Sequence, residues 1–200
     1  MKKAICILIV ALVAGSCGAA DTPNSVTDSR DGKTYKTVQI GEQVWMAENL
    51  NYAAEGSMCY GDDESNCAKY GRLYNWETAM KACPAGWHLS SDAEWTALEN
   101  GVVGTSAAAG RILKSQTGWT SNGNGTDEYG FSALPGGSGT SDGDNLFNVE
   151  DAGYWWSASE HETEPEYAYY RGMSYDSEVV GRIANDKTEL CSVRCVKDNK

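Results

Sequence analysis

The chain has 200 residues, of which 41% are hydrophobic and 22% are charged, so it is long enough for one globular domain with a buried core. Its 28 acidic residues oppose 16 basic ones, and the net charge of -12 excludes a phosphate-backbone partner such as nucleic acid. Seven Trp and eleven Tyr stand against two Phe, which favours a loop-rich domain with half-exposed aromatic side chains.

Residues 1–16 have the pattern of a signal peptide. Lys2 and Lys3 form a basic start, and the apolar run over residues 4–14 is too short to span a bilayer permanently. Small residues then precede Cys17 and resemble the bacterial lipobox, so Cys17 is expected to be the lipid-modified mature N-terminus. Ordinary secretory cleavage nearby, for example after Ala20, is the alternative.

Residues 17–30 are predicted to be a flexible tether. Ser, Thr, Asn, Asp and Gly dominate this stretch, and large apolar side chains are nearly absent. A lipid on Cys17 would supply the membrane affinity that the acidic body lacks. We therefore expect a protein of the cell envelope, anchored to the outer membrane or displayed at the cell surface, with no other contact to the membrane.

The pattern beyond the tether predicts a hairpin and then two short helices. Polar and apolar residues alternate over residues 33–45 around a turn, as in two antiparallel strands. From Gly71 the apolar residues follow a helical spacing until Pro84 ends it. The predicted buried face of this helix comprises Leu73, Trp76, Ala79, Met80 and Cys83. Ser91 and Glu94 have the spacing of a capping box, which begins a second helix.

The second half of the chain predicts loops followed by strands. Residues 107–114 are expected to add one or two helical turns, and residues 118–148 are expected to be mostly loop. Short alternating or aromatic segments follow and predict an antiparallel sheet. They are residues 154–157, 167–175, 178–183 and 191–196. Helices before strands indicate the α+β class.

Five of the seven cysteines remain once the leader and the lipid-modified position are set aside. Cys59 and Cys67 flank a polar, turn-forming stretch, so a local disulfide is the simplest pairing. Cys191 and Cys195 lie about 13 Å apart along a strand, beyond disulfide reach. One of these two is therefore expected to bond to Cys83. A metal site built from the thiols would need paired CxxC motifs, which the sequence lacks.

Eight motifs in fixed order carry a family resemblance. They are DGKTYKTVQIG (31–41), QVWMAENLNY (43–52), YGRLYNW (70–76), CPAGWHL (83–89), EW (94–95), GFSALPGG (130–137), YWWS (154–157) and SVRCVKD (192–198). Together they resemble the Fibrobacter succinogenes major paralogous domain, a family of secreted and lipid-anchored envelope proteins. The resemblance extends over about residues 27–198, and we place the domain at residues 31–198.

The resemblance implies a C-type lectin-like fold in which two short helices precede a twisted antiparallel sheet. The implied arrangement of helices and strands is also similar, more loosely, to the fold of formylglycine-generating enzymes. By the same resemblance Cys83 would pair with Cys195 and join both ends of the fold. Cys191 departs from the family pattern and would be either an unpaired thiol or an intermolecular link.

The sequence lacks the calcium ligands that C-type lectins use to bind sugars. At the corresponding places Leu134, Pro135 and Gly136 and, further on, residues 156–158 offer no carboxylate or amide. The stretch at residues 142–147 begins like a calcium-binding loop but lacks a ligand and the required glycine. We expect no metal and no other cofactor.

An enzymatic function also lacks support in the sequence. His161 and Glu162 resemble part of a zinc-protease motif, but Pro165 occupies the place of the second histidine. His88 follows a Gly-Trp turn before a helix, where a capping or packing role is expected. Only two histidines are present, and no Ser or Thr has an evident base partner. We therefore predict a protein that is not an enzyme.

The aromatic cluster after residue 150 is the remaining candidate for a site. One interpretation places Trp76, Trp87, Trp95 and Trp156 in the core. The other uses exposed aromatic residues as a stacking platform for a sugar ring or a protein segment. The residues predicted to form that platform are Tyr154, Trp155, Tyr167 and Tyr169.

The sequence thus predicts a non-catalytic surface lipoprotein module that binds an extracellular polymer, glycan or protein, without calcium. Two alternatives stay open, an envelope enzyme related to formylglycine-generating folds and a purely structural envelope protein.

Overall fold

A computed structural model describes residues 24–103, 108–140 and 142–199. Within these ranges the fold is mostly β, with two five-stranded sheets, a two-stranded sheet and a few short helices. The predicted signal peptide, the lipid-modified Cys17 and the first part of the tether lie outside the described residues. No helix in the described part of the chain is long and apolar enough to cross a membrane.

The first sheet brings the early and the late parts of the domain together. Its strands lie in the order β1-β2-β3-β12-β6. They are β1 (Ser25–Thr27), β2 (Thr34–Ile40), β3 (Gln43–Met46), β12 (Cys195–Lys197) and β6 (Trp87–Leu89). The pairing of β2 with β3 confirms the predicted hairpin over residues 33–45.

The second sheet has the order β11-β10-β9-β7-β8. Its strands are β7 (Gly136–Gly139), β8 (Leu146–Val149), β9 (Ala152–Glu160), β10 (Tyr167–Ser174) and β11 (Gly181–Asp186). The pairing of β7 with β9 is parallel, so the expectation of a purely antiparallel sheet is wrong at this place. A small additional sheet pairs β4 (Ser57–Met58) with β5 (Leu73–Tyr74).

Four α-helices lie between the strands of the described residues. They are α1 (Glu64–Tyr70), α2 (Trp76–Ala82), α3 (Asp92–Val103) and α4 (Ala109–Leu113). The capping box that begins α3 is confirmed, because Glu94 accepts from the Ser91 backbone N–H at 2.8 Å while Ser91 Oγ accepts from the Glu94 N–H. Because strands both precede and separate these helices, the expected order of helices first and strands afterwards is wrong.

Strand β9 lies between two parts of the hydrophobic core. Trp155 belongs to one cluster, together with Trp45 and Trp95, whose ring centroids are 4.9 Å apart. Trp156 belongs to the other cluster, together with Trp76. Since consecutive side chains point to opposite faces of a strand, both faces of the second sheet are covered at this point.

Four expectations about local structure are corrected. The tether does not extend to residue 30, because Ser25–Thr27 pair with β2 and the side chain of Val26 is buried. The stretch between Cys59 and Cys67 begins α1 rather than forming only a turn. Met80 is 42% exposed, and Leu73 lies in β5, so neither belongs to a buried helix face. The loop expected over residues 118–148 contains β7 and most of β8.

Both predicted disulfides are present. Cys59 is bonded to Cys67, and Cys83 at the end of α2 is bonded to Cys195 in β12. Cys191 is buried and is the cysteine without a disulfide among the described residues. The second bond therefore joins positions 112 residues apart and fixes the late strand against the first half of the domain.

Candidate functional site

The four aromatic residues predicted to bind a ligand lie in different surroundings and do not form one surface. Trp155 is 0% exposed, and its indole N–H donates to Asn49 Oδ1 at 2.8 Å. It cannot stack on a ligand, so its assignment to the binding surface is wrong. The cause is that β9 is covered on both faces, which makes its alternating pattern uninformative about exposure.

Tyr169 also lies away from any stacking platform. It is 7% exposed, and the Arg182 guanidinium covers its ring at 3.5 Å from the ring centroid. Its hydroxyl donates to Glu162. Tyr167, at the start of β10, is half-buried opposite Asp186 of β11. Tyr154 therefore shares no common surface with the other three predicted residues.

Tyr154 instead belongs to a row of side chains that crosses the second sheet. Tyr154 and Tyr170 meet edge to face, with ring centroids 5.5 Å apart. Ile183 lies directly opposite Tyr170 in the antiparallel ladder and is 43% exposed. Phe147 on β8 is 44% exposed and continues the row toward the edge of the sheet. We call these four residues the aromatic strip.

The strip depends on a glycine in β10. Gly172 lies opposite Tyr154, and a Cβ atom there would be 3.3 Å from the Tyr154 ring and 3.6 Å from Ile183 Cδ1. Both side chains therefore approach the backbone of Gly172 from its two neighbouring strands. A side chain at this position would press on the Tyr154 ring and contact Ile183.

A cavity of about 300 Å³ opens beside the strip. Its polar lining comes from strands β7, β8 and β11 and from the turn after β11, and consists of Ser138, Asn148, Asn185 and Glu189. Asn148 Nδ2 donates to the Tyr154 hydroxyl at 3.0 Å, which fixes the ring. Burial raises the pKa of Tyr170 to about 12, so that hydroxyl stays protonated and can donate to a ligand.

Two further titratable groups line the cavity. Burial and, to a lesser degree, the nearby acidic Asp186 and Asp142 raise the pKa of Glu189. The thiol of Cys191 lines the same cavity, and burial raises its pKa well above the ordinary value for a cysteine. That thiol is therefore neutral and unreactive at physiological pH.

Sequence reasoning found one member of the strip, Tyr154. The alternation of Tyr169 and Tyr170 along β10 places these two rings on opposite faces, and this signal could have identified Tyr170. Phe147 and Asn148 gave no comparable signal, because they lie in a stretch rich in Gly, Asn and Asp that predicts a loop. Asn185 and Glu189 could not be linked to Tyr154 from the sequence, because the whole of β10 lies between them along the chain.

Possible metal ligands come together at one place in the described part of the chain. In the described ranges, one group of three possible ligands comes together within 4.8 Å, namely Cys59, Glu64 and Cys67. Both sulfur atoms are joined in a disulfide and cannot act as thiolate ligands. Asp142, in the acidic loop, accepts hydrogen bonds from Thr140 Oγ1 and from the Asp144 backbone N–H.

The fold and the strip together define a disulfide-bonded, mostly β domain with an open aromatic surface on one sheet. The family profile of the Fibrobacter succinogenes major domain matches residues 38–197. The chain belongs to this family. Neither the search of curated proteins nor the search of solved structures found a match.

Proposed function

We propose that this protein is a non-catalytic module that binds an extracellular glycan through the aromatic strip, without calcium. The observation that carries the proposal is that two half-buried tyrosine rings and the exposed ring of Phe147 lie beside amide and carboxylate side chains around one cavity. Aromatic faces stack on the apolar face of a sugar ring, while amides and carboxylates hydrogen-bond to its hydroxyl groups.

The size and openness of the surface suit one or two sugar units of a longer polymer. A cavity of about 300 Å³ lies at the lower end of the range for small-ligand sites. The strip runs from Phe147, which lines the cavity, to Ile183, which lies outside it, so a polymer could extend across the sheet. Affinity is expected to be weak, because few rings are fully available.

The chemistry of the lining argues against turnover of a bound glycan. Glycoside hydrolysis uses two carboxyl groups on opposite sides of the scissile bond. Glu189 is the single carboxyl group among the side chains that line this cavity. Binding without hydrolysis is the activity that this set of groups supports.

A protein partner is the second candidate. Phe147 and Ile183 are exposed apolar side chains at the two ends of the strip, and such residues favour protein interfaces. A purely structural envelope protein would leave the strip without a ligand, whereas an envelope enzyme would convert the ligand that it binds.

A C-type lectin-like arrangement is the fold that we propose within the mostly β architecture. It is supported by the early hairpin and the late strand β12 sharing one sheet, and by the disulfide that joins α2 to β12. An experimental structure superposed on C-type lectin domains tests this assignment. A different strand order in the first sheet would overturn it.

The binding module would be anchored in the cell envelope through lipid on Cys17, as the leader predicts. Labelled fatty acid should enter the protein, and globomycin should block its maturation. If Cys17→Ala is released with an unchanged N-terminus and at an unchanged rate, ordinary signal peptidase makes the cut and the anchor is wrong.

A glycan array with and without EDTA tests the proposed function. We expect binding that survives EDTA, is lost in Tyr154→Ala and is weakened in Phe147→Ala. Tyr129→Ala is a matched control, because Tyr129 is an exposed tyrosine outside the strip. Loss of binding in EDTA would contradict the calcium-free mode. Hydrolysis of the bound glycan would establish an enzyme instead.

A further inference from the structure

The cavity beside the aromatic strip contains one charged side chain, and that charge has no counterion. Glu189, in the turn after β11, is half-buried and is the single charged residue among those that line the cavity. Within the described part of the chain its carboxylate accepts no hydrogen bond and forms no ion pair. A partly buried carboxylate is stabilised by a cation, so this group favours a positively charged ligand.

The charged groups that act on Glu189 add to its negative potential instead of offsetting it. Burial and then the carboxylates of Asp186 and Asp142 raise the pKa of Glu189. Asp186 accepts from Thr188 Oγ1 at 2.7 Å, and Asp142 accepts from the Asp144 backbone N–H at 3.0 Å. These donors are neutral, so both aspartates keep their full charge.

The basic residues near Glu189 in the sequence are paired with other carboxylates. Lys187 Nζ lies 3.2 Å from Glu160 Oε1, and Arg182 Nε lies 3.0 Å from Asp92 Oδ1. Among the described residues that line the cavity there is no Lys and no Arg. The negative potential of the cavity is therefore left uncompensated by the protein itself.

Aromatic rings border the same cavity and favour the same sign of charge. Tyr154 and Tyr170 meet at an interplanar angle of 90°, and the exposed ring of Phe147 on β8 also lines the cavity. Burial and then the nearby Cys191, Tyr154 and Glu189 raise the pKa of Tyr170 to about 12, so the carboxylate lies close to this ring. The π face of an aromatic ring attracts an ammonium group within about 6 Å.

The neutral part of the lining offers partners for hydroxyl groups. Asn185 Oδ1 accepts from the Asp186 backbone N–H at 3.0 Å, and Asn148 Nδ2 donates to a tyrosine hydroxyl at 3.0 Å. The amino group of Asn185, Oδ1 of Asn148 and the hydroxyl of Ser138 stay available to a ligand. A simple alkylammonium ion would leave these groups unused, and a neutral sugar would leave the carboxylate without a counterion.

We infer that the glycan bound at the aromatic strip contains an amino sugar with a free, protonated amine, whose ammonium group lies against Glu189. This inference rests on the function proposed for the strip and names the class of sugar. The hydroxyl groups of the same unit bond to the amides, and a cavity of about 300 Å³ is sufficient for one such unit. Acetylation of the amine removes the charge and with it the charge-assisted contact.

Two matched trisaccharides test the inference by calorimetric titration of the full-length protein. One is a trimer of glucosamine with free amines, and the other is the same trimer with every amine acetylated. The titration is carried out at about pH 6, where an ordinary carboxyl group is ionised and an amine is protonated. The free-amine trisaccharide is expected to bind about tenfold more tightly than the acetylated one.

Two variants of equal net charge separate the site from the general attraction of an acidic protein for a cation. Glu189→Gln keeps the size of the side chain and removes its charge, so the ratio of the two affinities should fall to about twofold or less. Glu42→Gln removes the same charge from the exposed turn between β2 and β3, outside the cavity, and should keep the ratio of the unmodified protein. Added salt should weaken binding of the free-amine trisaccharide more than that of the acetylated one.

Each contrary result has a definite meaning. Equal affinity for the two trisaccharides, or a glycan array on which the protein binds only amine-free glycans, would overturn the amino-sugar inference and leave the proposed glycan binding intact. An unchanged affinity ratio in Glu189→Gln would overturn the place assigned to the ammonium group. Competition by L-lysine amide as strong as that by the free-amine trisaccharide would overturn the requirement for a sugar ring and indicate a protein partner. Binding of no glycan at all would overturn both proposals.

Discussion

The side-chain oxygen of Asn49 accepts a 2.6 Å hydrogen bond from Arg194 Nε, across 145 positions of the sequence. Trp155 Nε1 donates to the same oxygen at 2.8 Å, and Asn49 Nδ2 donates to the Tyr70 carbonyl at 2.8 Å. One buried amide therefore links the segment after β3, the end of α1, strand β9 and the segment before β12.

Asn49→Leu should destabilise the fold strongly. The substitution leaves the donors of Arg194 and Trp155 without an acceptor in a buried place, at a cost of about 3 kcal/mol or more in the free energy of unfolding. Urea unfolding followed by tryptophan fluorescence measures this change. Asn145→Leu is a control because Asn145 is exposed, and a similar loss in both variants would contradict the role of the buried amide.

Trp155→Ala and Tyr154→Ala should separate stability from binding. Trp155→Ala empties part of the core and should lower the free energy of unfolding by about 3 to 5 kcal/mol. Tyr154 is half-buried, so Tyr154→Ala should cost less stability while removing a ring from the strip. Denaturation curves of both variants, compared with their glycan binding, check this. A Trp155→Ala protein of unchanged stability would show that the indole is not a core element.

The two disulfides should differ in how much they stabilise the domain. By the chain-entropy account, the bond between Cys83 and Cys195 contributes about 5 kcal/mol, and the bond between Cys59 and Cys67 contributes roughly 2 kcal/mol less. Paired Cys→Ala replacement of each bond, followed by urea unfolding, compares them. Equal losses would indicate that residual structure in the unfolded chain, rather than loop length, sets their contributions.

His88 should make stability depend on pH near neutrality. Burial alone would lower its pKa, but hydrogen bonds to Asp198 at 2.7 Å and Glu94 at 2.8 Å raise the pKa above the ordinary value. The folded state thus holds the proton more tightly than the unfolded state. The stabilisation is fully present below about pH 6.5, the ordinary histidine pKa, and disappears as pH rises through the folded pKa.

His88→Gln measures this contribution. The difference in unfolding free energy between the two proteins should be greatest near pH 6 and should shrink on the alkaline side. Because His88 is partly exposed, solvent screening keeps the difference under about 1 kcal/mol. A difference that does not change from pH 6 to pH 9 would refute the assignment of the proton to His88.

Local signals in the sequence predicted those elements that neighbouring residues determine. The hairpin over residues 33–45 has an alternating pattern, the Ser91–Glu94 box marks a helix start, and Cys59 lies close to Cys67 along the chain. The Cys83–Cys195 bond was predicted from the resemblance to a family. In each of these cases a short pattern or a recognised motif contains the necessary information.

The binding surface could not be predicted in the same way. Alternation along β9 predicts one solvent-exposed face. In the structure both α2 and α3 contact this strand, and both of its faces are packed. Pairing between β7 and β9 involves Gly137 and Gly153, which have no side chains to indicate it. The Asn49 contacts span more than a hundred positions, and a single sequence contains no local signal for them.

The position of β12 also determines the order in which the disulfide-bonded fold can form as the chain is synthesised. This strand lies between β3 and β6, although its residues are synthesised after those of every other strand. Strand β3 therefore emerges with an unpaired edge, and the Cys83 thiol has no correct partner until Cys195 arrives. Cys191 emerges just before Cys195, so a Cys83–Cys191 bond is the first error that oxidation of the growing chain can make.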